Sequence, residues 1–323
     1  MNTSLPGWPL DSSPWHPGEQ LAQTHAGVRE RMEAVGRRAV RGEMPEQHRA
    51  FFPLLPQLFV ATVDAEGQAW ASALFGQPGF VLSPDPRTLA ITLRDIGDDP
   101  VVPHLQAGSE LGVLGLQLET RRRNRANGRL MEASGSRLLM QVRQSFGNCP
   151  KYIQTRRRLP SEARSHVPAG AGASLTDALK AFVARSDTFF IASSAGPAAE
   201  HETGGVDISH RGGLPGFAHW EGDALVWPEY QGNNFFNTLG NLLSEPRAGL
   251  LFIDWCSGDM LHLAGRTQVA WTPSAATAPA GPAPLRQVRF TPERWILRPG
   301  ASPWRWTFDT YAPELQTDRT STA

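Results

Sequence analysis

DISHRGGLPGF, residues 207–217, and YQGNNFFNTLGNLLSEPRAGLLFIDW, residues 230–255, decide how the rest of this chain is read. They combine a cationic turn, a glycine pair, a short amphipathic helix pattern and a buried-strand pattern. Glycines let backbone approach a ligand closely and leave N–H groups pointing outward. A helix start adds free N–H groups and positive partial charge, which suits an anion. The stretch therefore reads as an anion-holding site laid against a sheet.

The same landmarks occur earlier in the chain. PGF stands at 78–80 and 215–217, LGVLGLQLET from Leu111 matches AGLLFIDWCSG from Ala248, and NGR at 127–129 matches AGR at 264–266. Phe80 to Gly112 and Phe217 to Gly249 both span 32 residues, and Gly112 to Gly128 and Gly249 to Gly265 both span 16. LFVATVDAEG also resembles TFFIASSAG. Gly67 to Phe80 is 13 residues against 21 from Gly196 to Phe217, which predicts an eight-residue insertion in the second copy. Three anchors in one register point to two copies of one β-rich unit.

Local patterns fill in the frame. LFVATVDAEGQAWASALFG reads as a hairpin turning at Asp64 to Gly67, LAITL as a further strand, and NGRLMEASGSRLLMQV as a hairpin turning at Gly135. Leu21, Val28, Met32 and Val35 predict one covering helix over 19–41. Ser174 followed by Asp177 predicts a capped helix with Leu175, Leu179, Phe182 and Val183 inward. In the opening stretch, Asn234 is the expected cap of the FFNTLGNLL helix. The expected organisation is an N-terminal arm and helix over 1–44, pinned by Trp8 and Trp15, then a first copy over 45–158. A linker over 159–173, a second copy over 174–311 and a disordered tail over 312–323 follow.

Charge narrows the function classes. The chain has 323 residues, 40% hydrophobic, with Lys plus Arg and Asp plus Glu equal at 31 each. That balance argues against a broad nucleic-acid footprint or attraction to a membrane surface, so any cationic site is local. The two cysteines, Cys149 and Cys256, form no CxxC pair, which disfavours a disulfide framework and a structural zinc site and makes a reducing cytoplasm the natural compartment. Both are read as packing thiols, Cys256 as buried. No signal-peptide pattern and no bilayer-length apolar stretch is seen.

HRGGLPGF, GNNFFNTLGNLLSEPRAGLLFID, RRRNRANGR after a buried strand, and QSFGNCPKYIQ together resemble the pyridoxamine 5'-phosphate oxidase-like, FMN-binding split-barrel family. The likeness is to the bacterial branch with two barrels in one chain, and it runs over about residues 15–308. It implies a mainly β fold with flanking helices: two tandem split β-barrels forming an intrachain pseudo-dimer, with FMN in the seam. The implied activity is an FMN-dependent oxidoreductase passing electrons or hydride between NAD(P)H or a protein reductase and a small-molecule substrate. The alternatives are a non-catalytic flavin-binding protein, or a split barrel for F420 or haem. No nucleic acid or membrane is expected as a partner, and the chain is a pseudo-dimeric monomer or a homodimer.

The implied cofactor residues are Ser209, His210, Arg211, Gly212, Gly213, Trp227, Gly232, Asn233, Asn234 and Asn237 of copy two. Gln144, Ser145, Asn148 and Lys151, which follow copy one, form the facing wall. Copy one has Leu74, Phe75, Ile96 and Gly97 where copy two has Arg211, Gly212, Asn233 and Asn234, which predicts one FMN per chain. Many relatives carry Arg or Lys after the GN pair; here Asn234 and Phe235 stand there. The phosphate charge then falls to Arg211, Lys151 or the arginines of 121–125, otherwise read as a solvated face with one or two anion contacts. His210 is read as positioning flavin or substrate by a hydrogen bond. The C-terminal pattern that grips pyridoxamine phosphate is missing from 304–311, which disfavours oxidation of that vitamer.

Overall fold

Two antiparallel sheets share one strand order. The computed structural model describes residues 7–93, 97–160, 167–196, 202–272 and 282–316. The first sheet contains β1 (Gln57–Val63), β2 (Ala69–Phe75), β3 (Val81–Asp85), β4 (Thr88–Thr92), β5 (Glu110–Gln117), β6 (Arg122–Ser134) and β7 (Arg137–Gly147). β8 (Thr155–Leu159) and β9 (Gly170–Gly172) follow. The second sheet contains β10 (Thr188–Ser194), β11 (Val206–Gly212), β12 (His219–Glu221), β13 (Ala224–Glu229), β14 (Arg247–Ile253), β15 (Met260–Ala270) and β16 (Arg286–Arg298), and β17 (Arg305–Thr310) is the last strand among the described residues. The orders are β2-β1-β5-β6-β7-β4-β3 and β11-β10-β14-β15-β16-β13-β12. The fold is mainly β, with two tandem split-barrel units in one chain.

Register carries the repeat down to single residues. Gln57 pairs with Phe75 in the first copy and Thr188 with Gly212 in the second, so Leu74 and Arg211 hold one position. A bulge interrupts β6/β7 at Asn127/Gly128 and β15/β16 at Ala264/Gly265, the same place in each copy. Glycine is required there: a Cβ on Gly128 would stand 1.9 Å from the Gln141 carbonyl oxygen, and one on Gly265 2.2 Å from that of Thr291. The β1–β2 connection occupies 64–68 and its counterpart 195–205, so the insertion is six residues rather than eight. Gly67 and Gly196 are not equivalent, which is why counting between them overshot.

The copies meet through β1, β2 and β5 against β10, β11 and β14. Phe59 and Phe190 stack with centroids 3.6 Å apart and planes 15° apart. On either side a glycine admits the opposite backbone. A Cβ on Gly112 would lie 2.6 Å from the Val206 carbonyl oxygen, and one on Gly249 2.3 Å from that of Ala69. Alanines 61, 69, 71, 73 and 192 keep the rest of the seam thin. Each barrel has its own core beyond this shared one.

The helices lie outside. The stretch expected as one helix is two, α1 (Pro17–His25) and α2 (Arg29–Ala39), broken where Gly27 takes φ +67°. After the short α3 (Glu46–Arg49), α4 (Asp177–Ala184) is capped by Thr176, whose side chain accepts from the Leu179 N–H, rather than by Ser174. α5 (Asn237–Ser244) packs against α1 so closely that a Cβ on Gly240 would meet the Glu19 nitrogen at 2.5 Å. Trp15 pins the arm, its ring 4.9 Å from that of Phe235 and its indole N–H donating to the Met32 carbonyl at 2.9 Å.

Three sequence expectations shift. Within the stretch expected to be a linker, β9 pairs with β16, and β8 pairs with β17. The tail is ordered as far as 316: Pro313–Leu315 forms a 3-10 turn, Leu315 is buried, and the Gln154 side-chain oxygen accepts from the Ala312 N–H at 2.9 Å. Cys256 is exposed, in the tight turn whose N–H groups bond Asp254. Ile96 and residues 317–323 lie outside the described residues. Among the described residues, no helix is long and apolar enough to cross a membrane.

Candidate functional site

A cleft opens where β6 of copy one faces β11, the end of β13 and the start of α5 in copy two. Strand alternation puts Arg123 and Arg125 on the same side of β6, facing this gap. Arg125 is 4% exposed. It pairs with Asp207 at 3.1 Å and donates to Asn237 Oδ1 at 3.2 Å and Ser209 Oγ at 2.5 Å. Asp207 accepts further bonds from Asn127 and Asn241, and Thr238 donates to Ser209 at 2.8 Å. Behind them Glu19 accepts from Asn237 Nδ2; burial, with Asp207 nearby, pushes its carboxyl well above the usual carboxylate range. The floor of the cleft is thus a connected polar network that fixes its shape.

The cations differ in what already neutralises them. Arg211 Nε donates to Glu229 at 2.6 Å, and Trp227 Nε1 donates to the same oxygen at 3.2 Å. Among the described residues no carboxylate acts on Arg123; burial first, then Arg125 and Arg211, lower its pKa to about 9, with Cys149 opposing. Lys151 lines the same cleft. Arg286 lies over the rings of Phe236 and Trp271, at 4.7 and 5.2 Å.

Several lining groups are buried without a partner among the described residues: Arg123 Nε, Arg125 Nε, His210 Nε2, Asn148 Nδ2 and Tyr230 Oη. Each such group costs about 1–3 kcal/mol. Their convergence in one cleft marks it as a place for a ligand rich in acceptors. Burial, then Arg123, Arg211 and Arg156, holds His210 well below the ordinary imidazole range, so its ring is neutral.

Of the residues expected from sequence, Asn148, Lys151, Ser209, His210, Arg211, Gly212, Gly232, Asn233, Asn234 and Asn237 line the cleft. Trp227 does not; it is fully buried against Phe189 and Phe290 as a core residue. Gln144 and Ser145 sit on β7 away from the lining, with Ser145 bonded to His48 at 2.9 Å. The glycine pair is there for packing: a Cβ on Gly212 would stand 2.1 Å from the Tyr152 carbonyl oxygen, and one on Gly213 2.4 Å from the Phe217 ring. α5 begins at Asn237, and Asn234 does not cap it. Asn234 and Phe236 both take left-handed φ, near +61° and +63°, and Asn233 Oδ1 accepts from the Phe235 N–H.

The arginines of 121–125 do not form one solvated face: the strand turns Arg125 inward, onto Asp207, while Arg122 faces solvent. Arg125 is buried, and Arg121 donates to the Ile153 and Tyr311 carbonyls at 2.8 and 3.1 Å. The sequence reading missed Tyr152, Glu229, Tyr230 and Arg286. Tyr152 lies inside the NCPKYIQ motif, and Glu229-Tyr230 lies one residue before the GNN motif, so both had a local signal. Tyr152 takes φ +64° and its ring lies 5.0 Å from that of Tyr230. Arg286 follows a low-complexity loop and had none.

The twin position in copy one is filled by side chains. Ser72, the counterpart of Ser209, donates to Asp99, which also accepts from the Val101 N–H at 2.9 Å and pairs with Arg298 at 2.6 Å. Leu74 is buried where copy two has Arg211.

No protein-family model matches this chain. No curated protein is significantly similar to it. Among solved structures it is similar to HupZ from Group A Streptococcus, at 15% identity over 32% of this chain and 93% of that one, TM-score 0.27. It is similar to a putative pyridoxamine 5'-phosphate oxidase from Lactobacillus delbrueckii, at 14% identity over 32% and 94%, TM-score 0.26. A pyridoxamine 5'-phosphate oxidase-related, FMN binding protein from Nostoc punctiforme matches at 11% over 44% and 100%, TM-score 0.26. Likenesses this slight carry no weight for function, and the fold rests on strand order and register.

Proposed function

We propose that this chain is an FMN-binding flavoprotein with one cofactor per chain, held in the seam between its two barrels. The observation that carries the reading is the set of unpartnered donors, above all Arg123, converging in a cleft lined by both copies. A phosphate monoester supplies acceptors and negative charge for Arg123, Lys151 and Asn148. Arg211 is already matched by Glu229 and shapes the wall. Bound there, FMN would supply hydride and electron chemistry, with the protein contributing orientation and charge. We read the chain as an oxidoreductase working between NAD(P)H or a protein donor and a small molecule.

The purified protein should be yellow and release FMN on denaturation. Arg123→Gln should weaken FMN binding roughly 10- to 100-fold, the worth of one charge-assisted hydrogen bond of about 1.5–3 kcal/mol. Unchanged affinity would place the phosphate elsewhere. A second reading, haem, draws on the neutral His210 ring with its free Nε2 in the cleft. A Soret band that persists in His210→Gln would rule out that ligation.

A further inference from the structure

His210 has surroundings that holding a flavin does not require. Its side chain is 4% exposed, it lines the cleft, and Nε2 has no partner. The charged groups facing it are all guanidinium: Arg123 from β6, Arg211 from its own strand and Arg156 from β8. Arg156 is matched by Asp187, with bonds of 2.5 and 2.6 Å, and Arg211 by Glu229. Arg123 is matched by no carboxylate among the described residues, with only Cys149 acting in its favour. From β10, Phe190 closes the site with its ring edge-on at 5.7 Å. Among the described residues no carboxylate bonds the imidazole; burial first, and then this field, keep it neutral.

We infer, on the reading that this cleft binds a phosphate-bearing ligand, that anion binding carries a proton onto His210. A dianion seated at Arg123 opposes the field that keeps the ring neutral. One unit charge about 6 Å away, at an effective dielectric near 20, changes a protonation equilibrium roughly a hundredfold. The proton comes from the buffer, and no covalent bond forms or breaks. The new Nε2–H donates to a ligand oxygen and satisfies the orphaned atom. The cleft therefore prefers dianions to monoanions, and a ligand that stays dianionic binds more tightly as pH falls from 8 to 6.

Sulfate is the probe, because it does not titrate in this range. Calorimetry of sulfate binding at pH 7, in two buffers of different ionisation enthalpy, counts the protons taken up. Wild type should take up a measurable fraction of a proton per sulfate, and His210→Gln none. Equal uptake in both, or sulfate binding without uptake, overturns the inference, as does a silent sulfate titration. Nitrogen NMR of labelled histidine in the wild-type chain gives the same answer without a variant: the His210 resonances should move to imidazolium values on sulfate addition, and unmoved resonances overturn it. FMN titrated in the same two buffers separates the two claims. Sulfate uptake with no FMN binding leaves the coupling standing and removes the flavin reading; FMN binding with equal uptake in wild type and His210→Gln does the reverse.

Discussion

Phe59 and Phe190 occupy the same position in the two copies, and they stack on each other, 3.6 Å between centroids. A residue that meets its own counterpart marks a pseudo-two-fold axis. The reciprocal contacts of Gly112 on Val206 and Gly249 on Ala69 obey the same symmetry.

Both rings are fully buried. Phe59→Ala should cost about 3–5 kcal/mol, read from urea unfolding. Phe190→Ala should cost a similar amount. The double variant should lose less than the two costs added, because the partners touch. Simple additivity would mean that the stack contributes nothing of its own.

The two seam glycines separate stability from binding. Gly112→Ala and Gly249→Ala each force a methyl group onto facing backbone and should each lower stability by about 1–3 kcal/mol. Gly112 abuts Val206 and Asp207, and Asp207 holds Arg125 in place, so only Gly112→Ala should also weaken FMN binding. Equal effects on FMN titrations from both variants would contradict the asymmetry.

Asp99→Asn tests the filled twin position. It removes the charge that faces Arg298 in a buried pair, a change that typically costs about 3–5 kcal/mol. FMN stoichiometry, measured by absorbance after gel filtration, should stay at one per chain. Two FMN per chain in the variant would show that Asp99 alone had been closing a second site.

Acid should destabilise the fold before any carboxylate titrates normally. Burial lowers His262 to about 4 from an ordinary 6.5, and His48 likewise. Between these values the unfolded chain takes up protons that the folded chain refuses. The stabilising contribution is complete above pH 6.5 and is lost as pH falls toward 4. For fully buried His262 it is on the order of 3 kcal/mol. Melting temperature should drop from pH 7 to pH 5, and His262→Gln should flatten that slope.

Much of the fold was legible because a repeat leaves signals that local context does not erase. PGF, the buried strand and the GR bulge sit at matching spacings, and the bulge explains why Gly128 and Gly265 are both glycine. Loop lengths were less legible: Gly67 and Gly196 look alike but lie in hairpins of different size. Within the site, Arg211 drew attention by its flanking glycines, yet Glu229 neutralises it and those glycines answer to Tyr152 and Phe217. Arg123 looked like one of a surface run, because nothing in RRRNR shows which arginine the strand turns inward. Trp227 illustrates the same limit, since an indole suited to a flavin is equally suited to a core.

Fusing the halves also changes how the site responds to concentration. In a two-chain assembly a seam comes apart on dilution and takes its pocket with it. Here the covalent connection holds the opposing walls together at an effective concentration that no dilution lowers. It also lets a single codon alter one wall without altering its mirror image, which is how an arginine and a leucine come to share one address in the fold.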